Sequence, residues 1–246
     1  MHLLDIKHLT KRYGRLTALS DVSFSVRAGE ILGLIGPNGS GKTTLFECLG
    51  GVLPLDAGAV LHNNRPMLSR QQRSIIFYLP DAIGPWPDQS VRWAIEFAQG
   101  FFGGRADLRD EIIRQMDLEA VLDSAIGSLS KGQRKRALLA IGLLTPQPVL
   151  LADEPFDGLD LRQSRDAAET LRSQAATGRT LVLSIHQISQ AARVCDRFVL
   201  LSGGRVCGEG TLEELADFAK ATSARANVPQ AWSDRLDLEE VFLALT

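Results

Sequence analysis

The sequence has no long hydrophobic run. Its 246 residues are 45% hydrophobic, yet uninterrupted apolar stretches last only a few residues, as at 149–152. A membrane-crossing helix needs about 20 in succession, so none is expected here, and any membrane task must run through a partner. The opening Met1-His2-Leu3-Leu4-Asp5-Ile6-Lys7 is interrupted by charge too early to act as a secretory signal. A cytoplasmic location is therefore expected. Cysteine is scarce, and Cys48, Cys195 and Cys207 lie far apart with no C-x-x-C spacing. That argues against a disulfide framework and a cysteine zinc site. An excess of one charge is missing too. The net charge is −2, which is not the basic footprint of a nucleic-acid binder, so no nucleic-acid partner is expected. The local basic run Lys131, Arg134, Lys135 and Arg136 stands out against that balance. Internal repeats and low-complexity tracts are also absent.

What is present begins at residue 36. Gly36-Pro37-Asn38-Gly39-Ser40-Gly41-Lys42-Thr43-Thr44 fits the phosphate-binding spacing G-x-x-x-x-G-K-S/T. A short strand-like run, Ile31-Leu32-Gly33-Leu34-Ile35, precedes it, and a helical pattern begins at Thr43. Glycines let the backbone turn tightly and aim its N–H groups at an anion, and the positive end of the helix adds to the attraction. Lys42 is expected to reach the β- and γ-phosphates, and Thr43 to offer its hydroxyl to Mg²⁺.

The rest of the pattern is alternating α/β. Strands are expected at 3–10, 22–27, 58–61 and 74–79, with Tyr13-Gly14-Arg15 in the first connection. Past Pro80 the pattern turns helical, at 89–102, 108–116 and 119–124, broken by Gly103-Gly104. This reads as an inserted helical subdomain. From Ser130 helices and strands alternate again, with strands at 149–152, 180–185 and 198–201 and a helix at 161–175. That order implies a mainly parallel sheet covered by helices on both faces. A small-residue stretch at 222–226 is expected to link to a short final helix. Leu238, Val241, Phe242 and Leu245 fall there at helical spacing, with Asp237 and Glu240 placed as a capping box.

Val149-Leu150-Leu151-Ala152-Asp153-Glu154-Pro155 is an apolar strand ending in two acids. Ligands of open α/β sheets gather at the carboxyl ends of strands. Asp153 is the candidate Mg²⁺ partner, and Glu154 the candidate base that polarises an attacking water. Leu129-Ser130-Lys131-Gly132-Gln133 contains a capping pattern, Ser130 with Gln133. It is either a well-capped helix and no more, or a second phosphate-binding helix end.

Taken in order, these segments resemble the ATP-binding-cassette ATPases over almost the whole chain. The series is phosphate loop, helical insertion, Leu-Ser-x-Gly-Gln signature, acidic strand, Asp157-Gly158-Leu159-Asp160 and Ser184-Ile185-His186. The resemblance implies a P-loop core of α/β class with an N-terminal antiparallel β subdomain. The cassette would span residues 1–221, with the helical subdomain inserted at about 81–145 and a linker and helix at 222–246. It also implies that Ser130, Gly132 and Gln133 face the γ-phosphate bound to a second copy, Lys131 standing where the usual second glycine would be. Tyr13 sits where the family places an aromatic against adenine. His186 matches the switch histidine that aligns Glu154 and the water, and Asp160 the acid that communicates across the dimer. Asp81 stands where the family has a glutamine that touches Mg²⁺ or water and couples to the membrane partner.

The final Leu238-Glu239-Glu240-Val241-Phe242-Leu243 resembles the ending of ABC-2-type exporter ATPases. The resemblance thus implies an ATP-hydrolysing exporter subunit that uses Mg²⁺. Its partners would be a second ATPase subunit, as a homodimer, and separate permeases that hold it at the cytoplasmic face of the membrane. Trp86, Trp93, Phe97, Phe101 and Phe102 concentrate aromatics in the helical insertion. Some are expected to build its core and one, Trp86, to stand exposed for a permease helix. Two other readings stay open: a soluble cassette ATPase acting on nucleic acid or ribosomes, and a non-catalytic nucleotide switch.

Overall fold

Two sheets share the work of burial. The computed structural model describes residues 2–81, 84, 86–226 and 238–245. Strands β1 (His2–Tyr13) and β2 (Leu16–Arg27) form a hairpin, followed by β3 (Ile31–Ile35) and helix α1 (Lys42–Leu49). Then come β4 (Ala57–His62), β5 (Arg65–Pro66), α2 (Ser69–Ile75) and β6 (Ile76–Leu79). The helical insertion holds α3 (Val91–Phe102), α4 (Arg109–Gln115) and α5 (Lys131–Leu144). Next are β7 (Val149–Asp153), α6 (Leu161–Ala176), β8 (Thr180–Ile185) and α7 (Ile188–Val194). Strands β9 (Arg197–Ser202) and β10 (Arg205–Gly210) and helices α8 (Leu212–Ala226) and α9 (Leu238–Leu245) complete the order.

The first sheet is antiparallel, in the order β2-β1-β4-β5. The second runs β10-β9-β3-β8-β7-β6 and is parallel except for its β9–β10 edge. Strands β3, β7 and β8 are buried along their whole length, which is why their sequences read as continuous apolar runs. Alternate residues still sort to opposite sides. Leu32, Leu34, Leu151 and Val182 join a core with the antiparallel sheet and α1. Ile31, Ile35, Leu150, Leu181 and Leu183 join the core built with the helical insertion, as the two-residue period of a strand requires.

Strand β2 begins at Leu16, earlier than expected, β5 and β10 were not expected, and three further segments differ. Ser74 and Ile75 close α2 instead of opening a strand, the Ser74 hydroxyl bonding the Gln71 carbonyl at 2.7 Å. Residues 119–124 make only a 3₁₀ turn at Glu119–Val121. The carbonyls of Leu122 and Ser124 are taken by the N–H groups of Arg92 and Val91, at 2.8 and 3.1 Å, so they are not available to continue a helix. Residues 222–226 are helical, the last turn of α8; no glycine or proline lies there to stop it. Asp237, half of the expected capping box, lies outside the described residues.

Arg179, just before β8, is buried at the far end of α5. Its guanidinium bonds the carbonyls of Gly142, at 2.8 Å, and Leu143, and the Thr145 hydroxyl at 2.9 Å. These are carbonyls that a helix end leaves without partners of its own. Burial, then repulsion from Arg105, pulls this guanidinium down to about 10, still charged at neutral pH.

Candidate functional site

Strand register assembles the site. Ile35 of β3 lies opposite Ile185 of β8, and Asp153 of β7 opposite Ser184. The residues that follow these strands, and those that follow β6, therefore emerge along one sheet edge. The glycine loop leaves β3 there. A Cβ at Gly36 would run into the Leu201 carbonyl, and one at Gly41 would stand 2.9 Å from the Ala18 carbonyl. Gly41 also has φ +105°, a region that L side chains rarely adopt, and from there the chain enters α1. The buried Lys42 ammonium folds back onto its own loop, 2.8 Å from the Gly36 carbonyl and 3.3 Å from that of Pro37.

A cleft of about 620 Å³ opens over this loop. Tyr13, Asn38, Gly39, Gly41, Lys42, Thr43, Thr44, Asp81, Asp153 and Glu154 all line it, so most residues expected to act on nucleotide meet here. The Thr43 hydroxyl donates to Asp153 Oδ2 at 2.8 Å. Asp153 is buried, and Ser184 donates to its other oxygen. Glu154 has φ +47°, unusual for a residue with a side chain. Its N–H is held by Ser184, through the hydroxyl at 3.0 Å and the carbonyl at 3.2 Å. Glu154 Oε2 lies 2.6 Å from His186 Nδ1, and Oε1 lies 4.0 Å from the Lys42 ammonium. Tyr13 ends β1, half exposed, with the Lys11 ammonium 5.6 Å from its ring centre. The Tyr78 phenol is pushed above its usual range, first by burial and then by the charge of Asp153.

Ser130, Gly132, Gln133 and Asp160 are not among the residues lining this cleft. Ser130 caps α5: its hydroxyl accepts from Gln133 N–H at 3.2 Å, and its own N–H donates to Gln133 Oε1 at 3.0 Å. Gly132 is packed closely, since a Cβ there would meet Gln163 Oε1 at 2.9 Å and the Gly158 carbonyl at 3.0 Å. Asp160 caps α6 by accepting from Gln163 N–H at 2.8 Å.

Ser184 stands in the run Ser184-Ile185-His186 but was given no role from the sequence. Its one signal is a hydroxyl in the otherwise apolar end of the run Leu181-Val182-Leu183-Ser184-Ile185. Three of the four cations of the basic run form ion pairs within the chain, Lys131 with Asp157 at 2.7 Å, Lys135 with Asp81 at 2.5 Å and Arg136 with Asp117 at 2.8 Å, and Arg134 bonds the Leu129 carbonyl at 3.4 Å. Asp81, expected at the metal, thus has Lys135 as its partner. In the Lys131 pair the hydrogen bond holds the Asp157 carboxyl below the usual carboxylate range and raises the ammonium above its own.

Comparison with known proteins decides the family. The sequence model of the ABC transporter family matches residues 19–157. A Nod factor export ATP-binding protein I of Burkholderia orbicola is 34% identical over 220 residues, which cover 87% of this chain and 72% of that one. The chain belongs to the ABC transporter family. It is an ATP-binding ATPase subunit of that family. The SkfA peptide export ATP-binding protein SkfE of Bacillus subtilis is 27% identical over 238 residues, 95% of this chain and all of that one (100%). A solved ATP-binding subunit of an ABC transporter superposes with TM-score 0.83 at 28% identity, covering 99% of each chain. That solved subunit shares the α/β fold of this chain.

Proposed function

We propose that two copies of this chain close around two ATP molecules and that hydrolysis there drives separate membrane permeases in export. The observation that carries the catalytic part is the edge cluster, in which Thr43 meets Asp153 and His186 meets Glu154 beside Lys42. Lys42 leaves its loop carbonyls for the phosphates. Glu154 takes the proton of the attacking water, and His186 holds one of its oxygens so that the other faces the reaction. Thr43 and Asp153 set hard oxygen donors side by side, which suits Mg²⁺, an ion that keeps waters and substrate phosphates as its other ligands. Held there by Thr43 and Asp153, it would supply neutralisation of phosphate charge. Tyr13 offers a ring face to the base.

The dimer reading is supported by the position of Ser130, Gly132 and Gln133, which are absent from the lining of their own cleft. A second copy would bring this capped helix start to the phosphates. Export is supported by the two relatives, both named as export ATP-binding proteins.

A permease surface is supported by the helical insertion. Trp86, Trp93, Phe97 and Phe101 form a row of ring contacts, with centroids 5.6 Å apart for Trp86–Trp93, 4.9 Å for Trp93–Phe97 and 6.0 Å for Phe97–Phe101. Phe101 is 71% exposed. Trp86, expected to be the exposed member, is instead half-buried against the core and the Trp93 and Phe97 rings. No described helix is long and apolar enough to cross a membrane, so the permease would fix the chain at the cytoplasmic face.

The test is Glu154→Gln with ATP and Mg²⁺, followed by light scattering. The amide cannot take the proton, so an ATP-bound species of doubled mass is expected to accumulate. A monomer at saturating ATP would refute the sandwich.

A further inference from the structure

Helix α5 carries Lys131 and Lys135 one turn apart, hence on one face. Each grips an acidic loop of the sheet edge. Lys131 reaches Asp157, after β7, and Lys135 reaches Asp81, after β6. A cavity of about 390 Å³ is lined by both lysines, both acids and Arg134; of the three cations only Lys135 is hydrogen-bonded to Asp81. Asp81 lines this cavity and also the cleft over the phosphate loop. Its carboxylate therefore stands at the boundary between them, and on the α5 side it meets an ammonium.

The two pairs are not equivalent. Lys131 is exposed, at 67% of its side chain, whereas Lys135 is buried, at 7%. Exposed pairs contribute little. A buried ammonium is held only at a large desolvation penalty unless a counter-charge meets it, and Asp81 is the carboxylate that does. On the other side, Asp153 and Glu154 already bring two carboxylates to the cleft that receives a polyanion. An unpaired Asp81 would add a third.

We propose that Lys135 is a positioning residue of the ATPase reaction, which holds Asp81 on the α5 side of the cleft and cancels the negative charge that this carboxylate brings to the nucleotide. The proposal rests on the reading of the cleft as the ATP site. It makes Asp81 and Lys135 one unit, in which the lysine matters because the acid is there. It also ties α5, whose first residues follow Ser130, to the loop that leads into the helical insertion.

The test is a double-mutant cycle on the full chain with Lys135→Met, Asp81→Asn and both together. ATP affinity is measured by calorimetry with and without Mg²⁺, alongside thermal unfolding of the nucleotide-free chain and the split of kcat against KM. Lys135→Met alone is expected to weaken ATP binding about tenfold, the order expected of one uncompensated charge near phosphates at high effective dielectric. The loss should persist without Mg²⁺, because the charge acts on the phosphates directly. Adding Asp81→Asn to Lys135→Met is expected to restore affinity to within about twofold of Asp81→Asn alone.

Arg92→Met is the control. It breaks an exposed ion pair with Asp123 in the same insertion, 2.9 Å long, and is expected to leave affinity unchanged. Two outcomes overturn the proposal. One is additive losses in the double variant. The other is a lower unfolding temperature for Lys135→Met with unchanged affinity and KM, which would make the lysine structural only. Failure of the underlying reading shows separately, as a Lys42→Ala chain that binds ATP like the wild type.

Discussion

Replacing Ser184 with alanine removes a single oxygen from beneath the sheet edge. That oxygen donates to the buried Asp153 and accepts from Glu154 N–H at 3.0 Å. A hydrogen bond to a charged group contributes about 1.5–3 kcal/mol. Asp153 keeps Thr43, and Glu154 N–H keeps the Ser184 carbonyl at 3.2 Å, so the loss falls mainly on one bond and is set at about 2 kcal/mol. For a chain of this size that lowers the unfolding temperature by about 4–8 °C. The second effect falls on Glu154. Its left-handed backbone, φ +47°, is a conformation that lasts only where the surroundings hold it, and the hydroxyl is one of the two groups holding its N–H. Turnover is expected to fall about tenfold, equivalent to about 1.4 kcal/mol. ATP affinity should change less than about threefold, because Lys42 and the loop are untouched. Calorimetric unfolding of the nucleotide-free chain and steady-state hydrolysis measure the two effects. Ser184→Cys keeps the size and a weak donor and should fall between alanine and wild type. An unfolding temperature within about 1 °C of wild type, together with normal turnover, would show that the hydroxyl positions nothing.

The proposed composite site predicts complementation: a Ser130→Arg chain mixed with a Lys42→Ala chain should regain part of the activity that each lacks alone, one site having both intact halves. Proven heterodimers without recovery would count against shared sites. Phe101→Asp should release the protein from membranes that contain the proposed permease while sparing ATPase activity in the purified chain; unchanged fractionation would move the docking surface elsewhere. Burial pushes the Cys48 thiol up to about 11 and raises Cys195 further still, so both stay protonated at pH 8, and only the half-buried Cys207 should react with a thiol reagent before unfolding. Rapid labelling of Cys48 in the folded chain would contradict its burial.

What the sequence showed plainly was whatever depends on near neighbours. The glycine spacing of 36–44 and the apolar run ending in Asp153-Glu154 announced the loop and the acidic edge, because backbone turns and strand burial are written locally. Contacts set by tertiary closure were not legible. Ser184 meets Asp153 across 31 positions, and Lys135 meets Asp81 across 54. The basic run at 131–136 stood out by its charge alone, which does not say that Lys135 and Arg136 are buried and paired. Trp86 was misjudged for the same reason. Its neighbours in the ring row lie in α3, and composition alone does not say which of five aromatics faces water.

Arg179 gives α5 a fixed end. Its grip on the carbonyls of Gly142 and Leu143 fastens the last turn of the helix to the sheet, while Ser130 sits at the opposite tip, 14 helical residues away. At 1.5 Å per residue the arm is about 21 Å long, so a swing of about 10° at the fulcrum carries the tip through about 4 Å. That is more than the reach of a hydrogen bond. Such a swing would carry Lys135 and Arg136 with it and part them from Asp81 and Asp117, so the pairs along the arm hold the tip where the Arg179 anchor sets it.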